Sequence, residues 1–203
     1  MANPISRFRP PVYGGRRARA RTYFFQLQGL LGRLGRFSQI DFSRVDRLVF
    51  LCKGNICRSP YAEARARQLG LPAVSCGLEC PNGDLANNQA MRNARERGLD
   101  LRLHRTTRAS DLSISSSDLI VAMEPLHARM IAPTASQTGA QLTLAGVWSQ
   151  PERPYIHDPF GLDDASFQAC FTLIDRSVAA LRDRLLQARG AASHQTRSST
   201  RTG

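Results

Sequence analysis

The chain reads as an α/β protein: a parallel sheet with helices on both faces. Three observations lead there. From residue 46 onward, short apolar runs alternate with helix-like stretches, the pattern of strands joined by helical crossovers. The first run, Leu48 to Leu51, ends at Cys52 and passes through a tight loop into good helix formers. The last stretch places Phe167, Phe171, Ile174, Val178, Leu181 and Leu185 at helical period.

Taken in order, the first strand is expected over 47–52 and the first helix over 60–69, with Pro60 in the first turn, where its missing N–H costs nothing. A-V-S-C-G over 73–77 suits a second strand, and 89–97 a helix that Gly98 stops. L-I-V-A-M over 119–123 is a third buried strand, followed by a helical stretch near 126–131. Residues 142–148 suit a fourth strand, and a loop of about fifteen residues leads to the helix over 167–186. Asp163 and Asp164 fit that helix's start, where negative charge suits its dipole. In such a fold a ligand binds beyond the carboxyl ends of the strands, where Cys52 lies.

Charge divides the chain. The net +12 of the 203 residues is carried by the ends: residues 1–45 hold nine arginines and one aspartate (+8), and residues 187–203 three arginines and no acid (+3), leaving 46–186 at +1. Residues 1–22 read as disordered, with three prolines, two glycines and the run R-R-A-R-A-R. Residues 23–37 place Phe24, Leu27, Leu31 and Leu34 at near-helical spacing, although three glycines weaken a helix there. This stretch reads as a helix packed on the body, as a poorly ordered tail, or as a contact for an anionic surface. A transit peptide or a later translation start are further readings. No stretch reaches the ~18 apolar residues of a membrane span. No secretory signal is expected. Five cysteines, an odd number, point to a reducing compartment and a cytoplasmic location.

The chemistry concentrates in C-K-G-N-I-C-R-S-P, residues 52–60. Five residues separate Cys52 from Arg58, enough for a loop around one tetrahedral oxyanion. Gly54 lets backbone approach closely and Asn55 tolerates left-handed angles. Successive N–H groups of Lys53, Gly54, Asn55, Ile56, Cys57 and Arg58 make an anion-binding nest, reinforced by the helix dipole. Arg58 adds a planar fork for two oxygens. A thiol in that positive field should be acidified. A nucleophile at the bottom of a phosphate cradle implies attack on phosphorus. The leaving oxygen then needs a proton from a carboxylic acid on another loop. The stretch Y-I-H-D-P-F-G offers Asp158, before Pro159 and Phe160.

The string V-F-L-C-K-G-N-I-C-R-S-P-Y-A-E, residues 49–63, resembles the signature of the low-molecular-weight protein tyrosine phosphatases, in a bacterial-type form. The resemblance implies a phosphatase domain over 46–188, a three-layer fold with four strands in the order 2-1-3-4, and a disordered basic tail over 189–203. It implies Cys52 as nucleophile through a phosphocysteine, Arg58 as phosphate ligand and Asp158 as acid, then base, with no metal or other cofactor. It further implies that Asn55 holds the loop, that Ser59 bonds the Cys52 sulfur, that His104 joins this network, and that Cys57 forms a reversible disulfide with Cys52. The chain departs from vertebrate-type members at Phe160 and Gly161, where those carry two tyrosines, and lacks their tryptophan after the second strand. The pocket wall is then expected from Ile56, Leu78 and Phe160. Ile56 favours phosphotyrosine over phosphoarginine, because related arginine-phosphate phosphatases have threonine there. The implied partner is a tyrosine-phosphorylated protein, such as a bacterial tyrosine kinase of polysaccharide export.

Two other functions compete. An arsenate reductase on this fold needs relay cysteines about seventy residues beyond the nucleophile, and D-L-I-V-A-M-E-P-L-H has none. A phosphate- or nucleic-acid-binding module is suggested by the arginine-rich ends, but no aromatic residues interleave with the arginine run. No stable nucleic-acid complex is therefore expected. A zinc site using Cys76 and Cys80 with Cys52 and Cys57 has poor spacing and would consume the nucleophile.

Overall fold

The computed structural model describes residues 15–32 and 34–199. Its elements are α1 (Gly15–Leu30), β1 (Arg47–Cys52), α2 (Arg58–Gln68), β2 (Ala73–Gly77), α3 (Asn88–Arg95), β3 (Asp118–Ala122), α4 (Pro125–Thr138), β4 (Gln141–Leu144) and α5 (Asp164–Ser199). Short 3-10 turns punctuate the connections. The four strands form one parallel sheet in the order β2-β1-β3-β4.

Central β1 is apolar on both faces because both faces are covered. Leu48 and Phe50 point to a core shared with Tyr61, Ala62 and Ala66 of α2, and with Phe167, Phe171 and Ile174 of α5. Val49 and Leu51 point the other way, to Ile131 and Ala135 of α4. All four strand residues are at most 1% exposed, a burial of about 2 kcal/mol each relative to water. This makes three layers. Asp175 of α5 ties α2 and the turn after α3 to it, accepting from Tyr61 Oη at 2.8 Å, Arg65 Nε at 2.7 Å and Arg97 Nη1 at 2.7 Å. The Tyr61 ring stacks on Phe171 at 3.7 Å. The start of α2, which carries the site, is thus pinned from below.

Four elements depart from the sequence reading by more than two residues. The fourth strand stops at Leu144, and Ala145–Trp148 turn as 3-10 helix. Gly146 closes that turn by accepting from Arg153 N at 2.8 Å. Helix α4 runs to Thr138 through Pro133. Pro133 is exposed, so the carbonyl it leaves unbonded faces water and the helix survives. Gly139, at φ 73°, ends it. Helix α5 begins at Asp164, after Asp163 accepts from Ser166 N at 2.9 Å. It continues to Ser199, so residues 189–199 extend the helix where a disordered tail was expected. Gly190 is the only breaker in that run and no proline follows it.

The fourth difference is at the N-terminus. The helix lies at Gly15–Leu30, not 23–37, and includes part of the stretch read as disordered. Its expected apolar stripe does not face the body: Phe24, Leu27 and Leu31 are exposed. The face spaced by Thr22, Phe25 and Gly29 packs instead. Thr22 is buried, Phe25 stacks on Tyr155 at 5.7 Å, and a Cβ on Gly29 would sit 3.3 Å from Pro154 Cγ. Small residues allow that close approach. After Gly32, Leu34 and Phe37 enter a core cluster with Leu144 and Val147 beside β4. Phe37 O accepts from Thr143 Oγ1 at 2.5 Å, and Asp41 and Gln141 exchange two bonds. Residues 34–44, assigned from sequence to the extension, are therefore joined to the body. Among the described residues no helix is long and apolar enough to cross a membrane.

Candidate active site

Cys52 ends β1, and the loop after it is shaped by its neighbours. Backbone groups of the next connection tie its outer side down. Leu78 N donates to Cys52 O at 3.1 Å, Glu79 N to Lys53 O at 2.9 Å, and Asn87 N to Ile56 O at 2.8 Å. Gly77 must be glycine there: a Cβ would meet Asn55 N and Lys53 O at 2.9 Å and Cys80 Sγ at 2.8 Å. With these carbonyls fastened outward, the N–H groups of Gly54, Ile56 and Cys57 have no acceptor among the described residues. They form a nest for an anion at the start of α2.

Asn55 adopts φ 51°, the left-handed conformation expected of it. Its buried side chain holds that strain. Nδ2 donates to Ser59 Oγ at 2.9 Å and Ser75 Oγ at 2.8 Å, while Oδ1 accepts from Thr107 N at 2.8 Å. Ser75 Oγ in turn donates to Glu63 at 2.6 Å. His104 Nε2 lies 2.8 Å from Asn55 O. A carbonyl only accepts, so Nε2 carries the proton. Burial lowers the His104 pKa despite that bond, which keeps the ring neutral.

The sulfur of Cys52 receives Asn55 N at 3.2 Å and stands 3.0 Å from Ser59 Oγ. Ser59 already accepts from Asn55, so its one proton goes either to the sulfur or to Cys76 O, 3.3 Å away. A thiolate draws it to the sulfur. Cys57, in contrast, is buried so that its thiol pKa is pushed up, with Asp158 adding repulsion. Burial likewise raises the Cys76 thiol, to about 12. All five cysteines are free thiols.

Arg58 is 1% exposed. Burial opposes its charge, but Asp158 and Glu124 outweigh that and raise its pKa further. Nη1 donates to Glu124 Oε1 at 2.5 Å and Ile156 O at 2.9 Å; Nη2 donates to Asp158 Oδ2 at 2.8 Å. Among the described residues, Nε is buried without a hydrogen-bond partner. Of the five protons, three are engaged, which leaves the Nε proton and one on Nη2. A guanidinium with two donors left can serve oxygens of a phosphoryl group.

Cys52, Lys53, Gly54, Ile56, Cys57, Arg58, Asp158 and Phe160 line one cavity of about 230 Å³, with Glu79 at its rim. Two larger clefts, of about 620 and 610 Å³, do not reach the sulfur. The structure thus brings together Cys52, Arg58 and Asp158, which lie up to 106 residues apart in the chain. Lys53 sits 3.3 Å from Glu79. Of the three expected wall residues, Ile56 and Phe160 face this cavity, whereas Leu78 lines a second one beside it. Glu124 was missed from sequence. It follows β3 directly, at the carboxyl end of a strand, and that position was the available signal.

Comparison with known proteins shows the family. The family model for low molecular weight phosphotyrosine protein phosphatases matches residues 47–191. The chain belongs to that family. It is 30% identical over 139 residues to a probable low molecular weight protein-tyrosine-phosphatase, EpsP, of Ralstonia solanacearum, covering 67% of this chain and 93% of the relative. It is 30% identical over 135 residues to the low molecular weight protein-tyrosine-phosphatase Wzb of Salmonella typhi, covering 66% and 89%. Among solved structures, the tyrosine phosphatase Wzb from Escherichia coli in complex with sulphate superposes with a TM-score of 0.60 at 28% identity, over 70% of this chain and 99% of that one. The arginine phosphatase YwlE of Geobacillus stearothermophilus shares the fold, with a TM-score of 0.62 at 23% identity, over 70% and 93%.

Proposed function

We propose that the chain hydrolyses phosphotyrosine in proteins through a phosphocysteine, with Cys52, Arg58 and Asp158 as the catalytic residues. The observation that carries this reading is that Arg58, with its Nε unpartnered among the described residues, lines the same small cavity as Cys52 and Asp158. The Cys52 thiolate attacks phosphorus while the loop N–H groups and the remaining donors of Arg58 hold the other oxygens. These donors are fixed beforehand, so they favour the transition state at no cost of reorganisation. The P–O bond to tyrosine breaks as Asp158, acting in its protonated form, gives its proton to the leaving oxygen and is left as the carboxylate. The Asp158 carboxylate then takes a proton from water, which attacks phosphorus. The S–P bond breaks, and phosphate leaves.

Asn55, Ser59 and His104 act as positioning residues. Cys57 is the partner for a protective disulfide with Cys52. Ile56 and Phe160 grip the aromatic ring, and the names of the relatives support phosphotyrosine as substrate. A tyrosine kinase of polysaccharide export fits as substrate protein, in a reducing cytoplasm. The exposed row Tyr23, Phe24, Leu27 and Leu31 supports a surface contact through residues 1–45.

The test is turnover of p-nitrophenyl phosphate and of a phosphotyrosyl peptide, with chelator present, for wild type beside Cys52→Ser. Turnover of both is expected, with a loss of at least about 10⁴-fold in the variant. No turnover by the wild type would remove the reading.

A further inference from the structure

We propose that the N-terminal helix supplies a specificity determinant for the phosphatase reaction: Arg21, together with Tyr155, forms a subsite for an acidic residue next to the phosphotyrosine. The inference rests on the phosphatase reading of the adjoining cavity and adds to it a substrate preference whose charged residue, Arg21, lies outside the family match, which begins at residue 47.

A second cavity, of about 290 Å³, adjoins the first and shares Lys53, Glu79 and Asp158 with it. Arg21, Tyr155, Leu126 and Met130 are among the residues that line it. A peptide whose phosphotyrosine enters beside Cys52 must carry its flanking residues across the shared rim, and this cavity lies on one side of that rim. Its wall is held in place. Thr22 is buried, Phe25 stacks on Tyr155, and Gly29 packs on Pro154, so the helix turn bearing Arg21 is seated on the segment that leads to Asp158.

The charges select the ligand. The carboxylates nearby are engaged: Glu124 and Asp158 on Arg58, and Glu79 on Lys53. Arg21 lines the cavity beside a phenol, Tyr155, whose pKa burial raises against the opposing influence of Arg21. Among the described residues it has no ion pair with a carboxylate. It is thus a cation at the mouth of the site, exposed, carried on a helix turn that is itself packed on the body, and with bonding capacity for a glutamate or aspartate side chain. Leu126 and Met130 offer apolar surface for that side chain's stem.

The experiment measures kcat/KM of the full chain and of Arg21→Ala, Arg21→Lys and Arg21→Glu on two phosphotyrosyl peptides, identical except for glutamate or alanine beside the phosphotyrosine. p-Nitrophenyl phosphate serves as the control that reaches only the catalytic cavity. For the wild type, the glutamate peptide is expected to be about fivefold better, the size of a partly exposed ion pair. Arg21→Ala removes that preference through KM, Arg21→Lys restores most of it, and Arg21→Glu reverses it, while p-nitrophenyl phosphate turnover stays unchanged in all. Equal wild-type turnover of the two peptides, or an equal loss on both peptides and on p-nitrophenyl phosphate, would overturn the subsite while leaving the phosphatase reading intact. A wild type that hydrolyses none of the three substrates would overturn both.

Discussion

Two loops meet at the site, and they are built differently. The loop from Lys53 to Arg58 is over-determined. Asn55 is fully buried and bonded through side chain and carbonyl to Ser59, Ser75, Thr107 and His104, and a glycine at position 77 lets a second backbone pack against it. The loop carrying Asp158 is tethered lightly. Ile156 N reaches Met123 O at 3.1 Å and Asp158 pairs with Arg58, but the Asp158 side chain is 41% exposed and Phe160 58%. The difference matches the two tasks that the proposed mechanism gives them. Donors that stabilise a transition state must be in place before the substrate arrives. An acid that is recharged through water must be reachable by water.

The comparison is broken most severely at Arg58. Arg58→Lys keeps the charge but replaces the fork with a point donor. Glu124 and Asp158 then compete for it, and no Nε donor remains. The expected loss is about 10²–10³ in kcat on p-nitrophenyl phosphate, with the thermal transition recorded alongside to exclude unfolding. A change of less than about tenfold would mean that the loop N–H groups suffice without the guanidinium.

A smaller and more selective effect is expected on the other loop. Asp158→Ala should slow phenyl phosphate by about 10² or more. p-Nitrophenyl phosphate, whose leaving group needs little protonation, should be slowed much less. A ladder of phenyl phosphates differing in leaving-group pKa would sharpen the contrast. Equal slowing along the ladder would take the acid role away from Asp158.

The smallest effect is on stability. His127 lies behind both loops, 3.6 Å from Glu124. Burial holds its pKa at about 4, against the opposing influence of Glu124; Arg58 lowers it further, while Asp158 and Glu79 raise it. The native state therefore resists protonation more than the unfolded chain does. The neutral histidine contributes full stability above about pH 6.5, and that contribution is lost as pH falls towards about 4. The loss is on the order of 3 kcal/mol at the acid end. Chemical denaturation at several pH values should show the slope, and His127→Gln should flatten it. An unchanged slope would place the acid sensitivity elsewhere.

Much of this was legible in the chain. Strands β1 and β2 fell where the apolar runs placed them, and β3 within one residue, because a strand covered on both faces must be apolar throughout. The cradle was legible because Cys52, Asn55, Arg58 and Ser59 are contiguous, and a loop of that length has few ways to wrap an anion. Asp158 was legible through its neighbours Pro159 and Phe160. The N-terminal helix was misplaced because its apolar residues invite burial, yet the packed face is chosen by what the body offers: Tyr155 for Phe25 and Pro154 for Gly29. The end of α5 was misjudged because polar composition alone does not stop a helix that meets no proline.

By itself, then, the sequence determined the parallel sheet and the loop from Cys52 to Arg58, which depend on local periodicity and on residues close in the chain. Only the tertiary structure decided that Glu124 holds Arg58, that Leu78 faces a different cavity from Ile56 and Phe160, and that Arg21 stands at the mouth of the site. Those are contacts between segments far apart in the chain, set by which faces the packed layers leave open. No local pattern encodes them.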